Sequence, residues 1–259
     1  MPSVREQFKT YHDFAIADLN TIYGKRLDSA LRLEINTPET GMFINDGNGK
    51  FSFRPLPHIA QISPTMGIAA THLDGDGIPD LVLAQNFFLP QRETGRMDGS
   101  LSFVLLGNGD ASFRVMEPTE SGIALPGDAR SLTVFDYYGN NQPDLLFARN
   151  SDSPQFYFNK ARGRFLKIRL VTANPANLQG IGTRITLHYR DNSIQSCEIH
   201  AGNGYLSQSP NEIFASETKS NPIEKATVRW PDGTQSSYKP PQNSGSQLWE
   251  LRYGAAAAK

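Results

Sequence analysis

The sequence predicts an all-β chain. It reads as a partial β-propeller of two to three blades, one with a helical insertion, followed by a small β-sandwich-like domain. Three observations predict this. From about residue 31 onward, short apolar runs alternate with clusters of Gly, Asn, Asp and Pro, the spacing of strands joined by tight turns. One unit recurs: MFINDGNGKFSF at 42–53, SFVLLGNGDASF at 102–113 and FYFNKARGRF at 156–165. A second unit interleaves with it, GIAATHLDGDGIPDLVLA at 67–84 and SLTVFDYYGNNQPDLLFA at 131–148, which sets Asp80 against Asp144. Interleaved units with a common period of about 60 residues suit four-stranded propeller blades.

The elements follow in order. Val4, Phe8, Tyr11, Phe14, Ala15, Leu19, Ile22 and Tyr23 recur at steps of three and four, so one amphipathic helix is expected over 4–23, with Gly24 as its stop. Leu31, Leu33 and Ile35 alternate with Arg32, Glu34 and Asn36, which is strand period. In the first recurring unit an apolar run leads into a Gly/Asn turn and an aromatic restart, the pattern of a hairpin whose glycines supply positive φ. The blade units occupy 1–165. After Phe165 they cease, and 166–171 (LKIRLV), 184–189 (RITLHY), 226–230 (ATVRW) and 247–253 (QLWELRY) read as strands of a second domain over 166–253. Residues 254–259 (GAAAAK) read as a disordered tail.

Composition excludes several classes. The chain has 259 residues, with 25 Lys plus Arg against 26 Asp plus Glu, so its net charge of −1 argues against a nucleic-acid partner held by counterion release. No apolar run is long enough to span a membrane. The single cysteine, Cys197, cannot form a disulfide within the chain, and its place in an apolar alternating stretch reads as a buried core position. Of the five histidines, none stands in an HExxH pattern, and neither a GxSxG elbow nor a phosphate loop is present.

The sharpest chemical signal is His72-Leu73-Asp74-Gly75-Asp76-Gly77-Ile78-Pro79-Asp80. Side chains at 72, 74 and 76 converge if the two glycines let the backbone curl. Asp74, Asp76 and Asp80, with the carbonyl of Ile78, make a hard-oxygen set that suits Ca²⁺, and His72 stands at the first ligand position. An EF-hand register fails, because Leu83 falls where the bidentate Glu belongs. The bland alternative is an Asp-Gly turn with no ion. The second copy, Asp136 to Asp144, keeps Asp136, Asn140 and Asp144 as a weaker candidate site, and a loop held by Asx-type hydrogen bonds explains it equally well.

At these residues the chain resembles the FG-GAP (VCBS) repeat family of integrin-α-like propellers. The resemblance implies a calcium loop between blade strands, with Asp74, Asp76 and Asp80 at matching positions and His72 in place of the usual Asp. Further on, Gly180-Ile181-Gly182-Thr183-Arg184-Ile185, Ile199 to Ser209 and Val228-Arg229-Trp230-Pro231-Asp232-Gly233 resemble the ASPIC/UnbV domain. Ala215-Ser216-Glu217 stands where that family carries a Leu-Gly motif. The pairing is similar to that of the cartilage acidic protein family and its bacterial relatives, which are exported or surface proteins of binding or adhesion. Two to three blades do not close a ring, so the chain is expected to be the C-terminal part of a longer exported protein, extracellular, at the cell surface or periplasmic.

These readings converge on a non-catalytic, calcium-stabilised recognition or adhesion module that binds a protein or a carbohydrate. The alternatives are a carbohydrate-active enzyme or its accessory domain, with Asp74 and Asp80 as an acid pair, and a structural β module that assembles through free strand edges. Phe87, Phe88, Tyr137, Tyr138, Phe156 and Tyr157 border loops, where aromatics stack on sugars or anchor proteins, although core burial explains them as well. Gly202-Asn203-Gly204-Tyr205 reads either as a recognition loop or as a tight turn over a packed Tyr205. Trp230 reads as core, with Pro231-Asp232-Gly233 as a β-turn.

Overall fold

A computed structural model of the chain describes residues 2–242 and 245–254. Of the tail expected at 254–259, all but Gly254 lies outside the described residues. The chain divides into two units, Met1–Pro38 and Glu39–Lys259.

In the first unit the single helix expected over 4–23 is three: α1 (Pro2–Gln7), α2 (Tyr11–Ala15) and α3 (Leu19–Tyr23). Two caps cut it. Thr10 and Asp18 take extended backbone, and their side chains accept from the amides of Asp13 (3.1 Å) and Thr21 (2.7 Å). An N-cap residue leaves helical dihedrals to reach the third amide on, so each cap starts a new helix. The alternation at 31–35 forms no strand. Leu31, Leu33 and Ile35 are more than 80% exposed, and no strand pairs with them among the described residues. Period two marks a strand only where a neighbouring ladder and a core face receive it.

The second unit is all-β. Its strands are β1 (Gly41–Asn45), β2 (Phe51–Pro55), β3 (Thr65–Thr71), β4 (Asp80–Gln85), β5 (Phe103–Gly107), β6 (Phe113–Val115), β7 (Ala129–Phe135), β8 (Asp144–Arg149), β9 (Gln155–Tyr157), β10 (Arg164–Val171), β11 (Arg184–Tyr189), β12 (Ile194–Glu198), β13 (Glu212–Glu217), β14 (Ile223–Arg229), β15 (Gln235–Tyr238) and β16 (Gln247–Arg252). They form a β1–β2 hairpin, a β3-β4-β5-β6 meander, a β7-β8-β9 meander, and two further sheets ordered β13-β10-β16 and β12-β11-β14-β15.

The two meanders repeat one another down to their irregularities. Thr71 pairs with Asp80 and Phe135 with Asp144, and both first pairs carry a bulge at their far end, between Thr65 and Gly67 and between Ala129 and Ser131. Leu81 faces Leu105 as Leu145 faces Tyr157. The recurring unit at 42–53 and 102–113 forms hairpins, with Gly47, Gly49 and Gly109 at positive φ. The unit at 156–165 does not: β9 and β10 belong to different sheets. Asn159 redirects the chain. Its amide donates to Asp144 Oδ1 (2.8 Å) and its side chain to the Leu73 carbonyl (2.9 Å).

The β3–β6 meander packs on both faces. Leu81, Leu83, Phe103 and Leu105 meet Met42 and Leu56 on one side. Val82, Val104 and Leu106 meet Leu132, Leu145 and Phe147 on the other. Beyond Arg164 the two C-terminal sheets enclose one core of Leu166, Ile168, Ile185, Leu187, Val228, Trp230, Trp249 and Leu251. Trp230 is buried, its Nε1 donates to Ser236 Oγ (3.1 Å), and Gly233 N–H closes the following turn on its carbonyl (2.9 Å). Cys197 lies half-buried against this core, and burial pushes its thiol up to about 12, which disfavours the reactive thiolate.

Candidate functional site

The two acidic loops sit at the same place in the two meanders, between first and second strands. Their closing aspartates do the same work. Asp80 Oδ2 accepts from Leu73 N–H (2.7 Å) and Oδ1 from Gly107 N–H (3.0 Å). Asp144 Oδ2 accepts from Tyr137 N–H (2.9 Å) and Oδ1 from Asn159 N–H (2.8 Å). Each buried carboxylate ties the start of its loop to the end of the third strand, satisfying two amides that would otherwise be stranded. Within the loops, Asp74 Oδ1 accepts from Asp76 N–H (3.1 Å) and Asp76 Oδ1 from Ile78 N–H (2.7 Å). Asp136 Oδ1 accepts from Asn140 N–H, and Asn140 Oδ1 from Gln142 N–H. The bonds from 74 to 76, 76 to 78 and 140 to 142 are Asx turns, and the bond from 136 to 140 spans the head of its loop. The Ile78 side chain lies over Gly107, where a Cβ would meet it at 2.8 Å.

The first position of each loop points into the C-terminal sheets. His72 is 4% exposed. Its Nδ1 lies 3.0 Å from Ser216 Oγ on β13, and its Nε2 lies 2.9 Å from Gln195 Oε1 on β12. Gly77 completes a ring: its N–H donates to Ser216 Oγ (3.0 Å) and its carbonyl accepts from Gln195 Nε2 (2.8 Å). The amide of Gln195 is thereby oriented, so its Oε1 faces a protonated Nε2, and the Ser216 hydroxyl donates to Nδ1. Burial lowers the pKa of His72 to about 4, which keeps this neutral tautomer. Burial also raises Asp80 to about 6, with Asp74 and Asp76 adding repulsion, and raises Asp76.

In the second loop the partner is a cation. Lys167 Nζ on β10 lies 2.7 Å from Asp136 Oδ2, with both side chains largely buried, and Glu212 Oε2 stands 3.9 Å from the same ammonium. A lysine of the chain itself therefore neutralises the carboxylate that would head a metal loop.

In both loops expected to bind calcium, the leading position has a partner within the chain. At Asp136, Asn140 and Asp144 the ammonium of Lys167 holds the leading ligand. At His72, Asp74, Asp76, Ile78 and Asp80, both nitrogens of His72 are committed to Ser216 and Gln195. Among the described residues, no group of three or more His, Cys, Asp or Glu side chains is gathered to hold an ion. The residues missed from sequence are Ser216, Gln195 and Lys167. Two departures from family patterns, His72 for Asp and Ala215-Ser216-Glu217 for a Leu-Gly motif, were the available signal: they meet each other.

Beside the first loop, a cavity of about 580 Å³ opens between the two meanders. Val104, Leu106, Met116, Ile123, Leu145 and Tyr157 line its apolar part, and Asp74, Glu120, Asn159 and Lys160 line its polar part. A short helix, α4 (Pro118–Ser121), forms one wall. The loop at 202–205 resolves into a surface turn with Tyr205 46% exposed; Asn203 Oδ1 accepts from Ser209 N–H (2.7 Å), and Ser209 Oγ accepts from Val134 N–H on β7 (3.2 Å).

The C-terminal sheets carry the deciding resemblance. Residues 173–258 match the family described as ASPIC and UnbV. This ASPIC/UnbV segment takes in β11 to β16, including Gln195 and Ser216, whereas Lys167 on β10 precedes it. No FG-GAP or VCBS match accompanies it over the meanders. No curated protein matches the chain. No helix among the described residues is long and apolar enough to cross a membrane.

Proposed function

We propose that the chain is a non-catalytic recognition module, working outside the cell, in which two propeller-type blades are braced on the ASPIC/UnbV segment and bind a protein or glycan in the cleft between them. One observation carries this reading: a cavity of binding-site size with an apolar floor and a few convergent polar groups. The acids beside it support binding over turnover. Asp74, Asp76 and Asp80 are bonded to backbone amides, so they form no free acid–base pair. The matched registers and bulges of the two meanders support the blade reading, and the resemblance to exported ASPIC/UnbV proteins supports the location.

The test is binding to an array of glycans and peptides, followed by titration of the best binder. Met116→Trp should fill the cleft and weaken that binding at least tenfold while the melting temperature holds. Phe156→Ser, outside the cleft, should leave it unchanged. Equal binding by the Met116→Trp chain would move the site elsewhere, and turnover of a bound glycan would replace recognition by catalysis.

A further inference from the structure

The two meanders match strand for strand until the last. The first has four strands, β3-β4-β5-β6, and the second has three, β7-β8-β9. The match fixes where a fourth would lie. Leu81 pairs with Leu105 as Leu145 pairs with Tyr157, and the amides of Gly107 and Asn159 donate to the Oδ1 atoms of Asp80 and Asp144. Tyr157, Phe158 and Asn159 therefore hold the positions of Leu105, Leu106 and Gly107, which β6 pairs with Val115, Arg114 and Phe113. In the second meander the chain turns away at this point, and β10 pairs with β13 and β16 instead. β9 is left at the edge of its sheet. Among the described residues, neither the amide nor the carbonyl of Phe158 has a backbone partner.

The cavity lies on the matching side of this edge. Phe113 and Val115 pack beside Leu81, Leu83 and Leu105, on the face that those residues turn to their core. The equivalent face of the second meander is that of Leu145 and Tyr157, and both line the cavity together with Leu106 and Met116. An open edge and an apolar cavity thus stand where the backbone of a fourth strand and its two inward side chains would go.

We propose that the cleft takes an extended peptide segment of a partner protein. The segment pairs antiparallel with β9 as its fourth strand and sets two apolar side chains, two residues apart, into the cavity. This inference rests on the cleft reading above and narrows its ligand from a protein or glycan to a peptide. The chain's own repeat shows what such a slot accepts. β6 fills the equivalent place with Phe113 and Val115, an aromatic and a β-branched residue turned to the core, and Arg114 between them is exposed. A strand added to a sheet edge draws affinity from backbone hydrogen bonds and specificity from its alternate side chains. A glycan has no row of amides and carbonyls to meet those of Phe158.

The probe is a synthetic peptide of residues 110–117 (DASFRVME), the chain's own β6 sequence, titrated onto the full chain. The expected result is saturable binding that slows hydrogen exchange at the Phe158 amide at least tenfold. In the β5–β6 ladder the Met116 amide donates to the Val104 carbonyl (2.9 Å), so by alternation the Arg114 amide faces β5 and the Val115 amide faces away. N-methylation of the probe at Arg114 should therefore weaken binding at least tenfold, and N-methylation at Val115 should leave it unchanged. Val115→Asp in the probe, or Met116→Trp in the full chain, should also weaken it at least tenfold. Equal effects of the two N-methyl groups, an unprotected Phe158 amide, or probe binding that Met116→Trp leaves unchanged would each overturn strand addition. A probe that fails to bind, beside an array binder that Met116→Trp abolishes, would overturn strand addition and keep the cleft as a site for another ligand.

Discussion

His72 and Asp80 stand at opposite ends of one loop, and burial moves their pKa values in opposite directions. His72 falls from 6.5 to about 4, so the unfolded chain takes the proton first. Its contribution to stability is present above pH 6.5 and is lost as the pH falls toward 4. Asp80 rises from 3.8 to about 6, so the folded chain takes the proton first. Its contribution is full below pH 3.8 and is lost as the pH rises through 6. Each amounts to on the order of 2–3 kcal/mol, and between pH 4 and 6 they oppose one another. Urea midpoints at pH 4.5 and 6.5 separate them. Relative to the parent chain, His72→Gln should gain stability on acidification and Asp80→Asn should lose it. A His72→Gln chain with the parent's pH profile would remove His72 from this account. The loop itself was legible as a sequence motif. The partners of His72 were not, because Gln195 and Ser216 lie more than 120 residues away in sequence, and no local pattern encodes a contact at that distance.

At the scale of elements, period and turn chemistry located β3, β4, β7 and β8: β4 alternates between two cores, and β3, β7 and β8 each turn one face to the core between the meanders. They failed where a local pattern had no tertiary counterpart, at Leu31 to Ile35, and where a polar side chain took over the backbone, at Thr10, Asp18 and Asn159. The glycines of the acidic loops show the same split. Gly75 and Gly139 occupy matching positions and both have positive φ, +84° and +69°. Gly139 has nothing within 4 Å of where a Cβ would stand, whereas at Gly75 the Cα of Gly163 lies 2.9 Å away and the Phe165 ring 3.3 Å. Gly139→Ala should therefore cost about 1 kcal/mol, the backbone penalty alone. Gly75→Ala should cost at least about 2 kcal/mol, because it also drives the loop off the 158–163 crossing. Chemical denaturation ranks the two. Faster cleavage at Arg162 by a trypsin-like protease in the Gly75→Ala chain would locate the added damage at that crossing, and equal losses in both variants would refute the close approach.

For the whole molecule, the acidic loops act as sockets in which the C-terminal sheets plug. Lys167 supplies to Asp136 the positive charge that a metal loop would take from solution, and the ring of His72, Gln195, Ser216 and Gly77 needs no ion. Thermal melting should therefore give the same midpoint with calcium and with chelator. Asp136→Ala leaves the Lys167 ammonium buried without its nearest counter-charge, a change that costs about 3–5 kcal/mol in comparable buried pairs. Glu212, 3.9 Å away, offsets part of that loss. Replacing both partners, Asp136→Asn with Lys167→Met, removes the stranded charge and should recover much of the stability, which a double-mutant cycle reads as a coupling energy. Additive losses would mean that the pair does not couple the β7–β9 meander to β10 of the C-terminal sheets. A rise in midpoint with calcium, abolished by Asp76→Ala, would mean that the first loop opens from His72 and rebuilds around an ion.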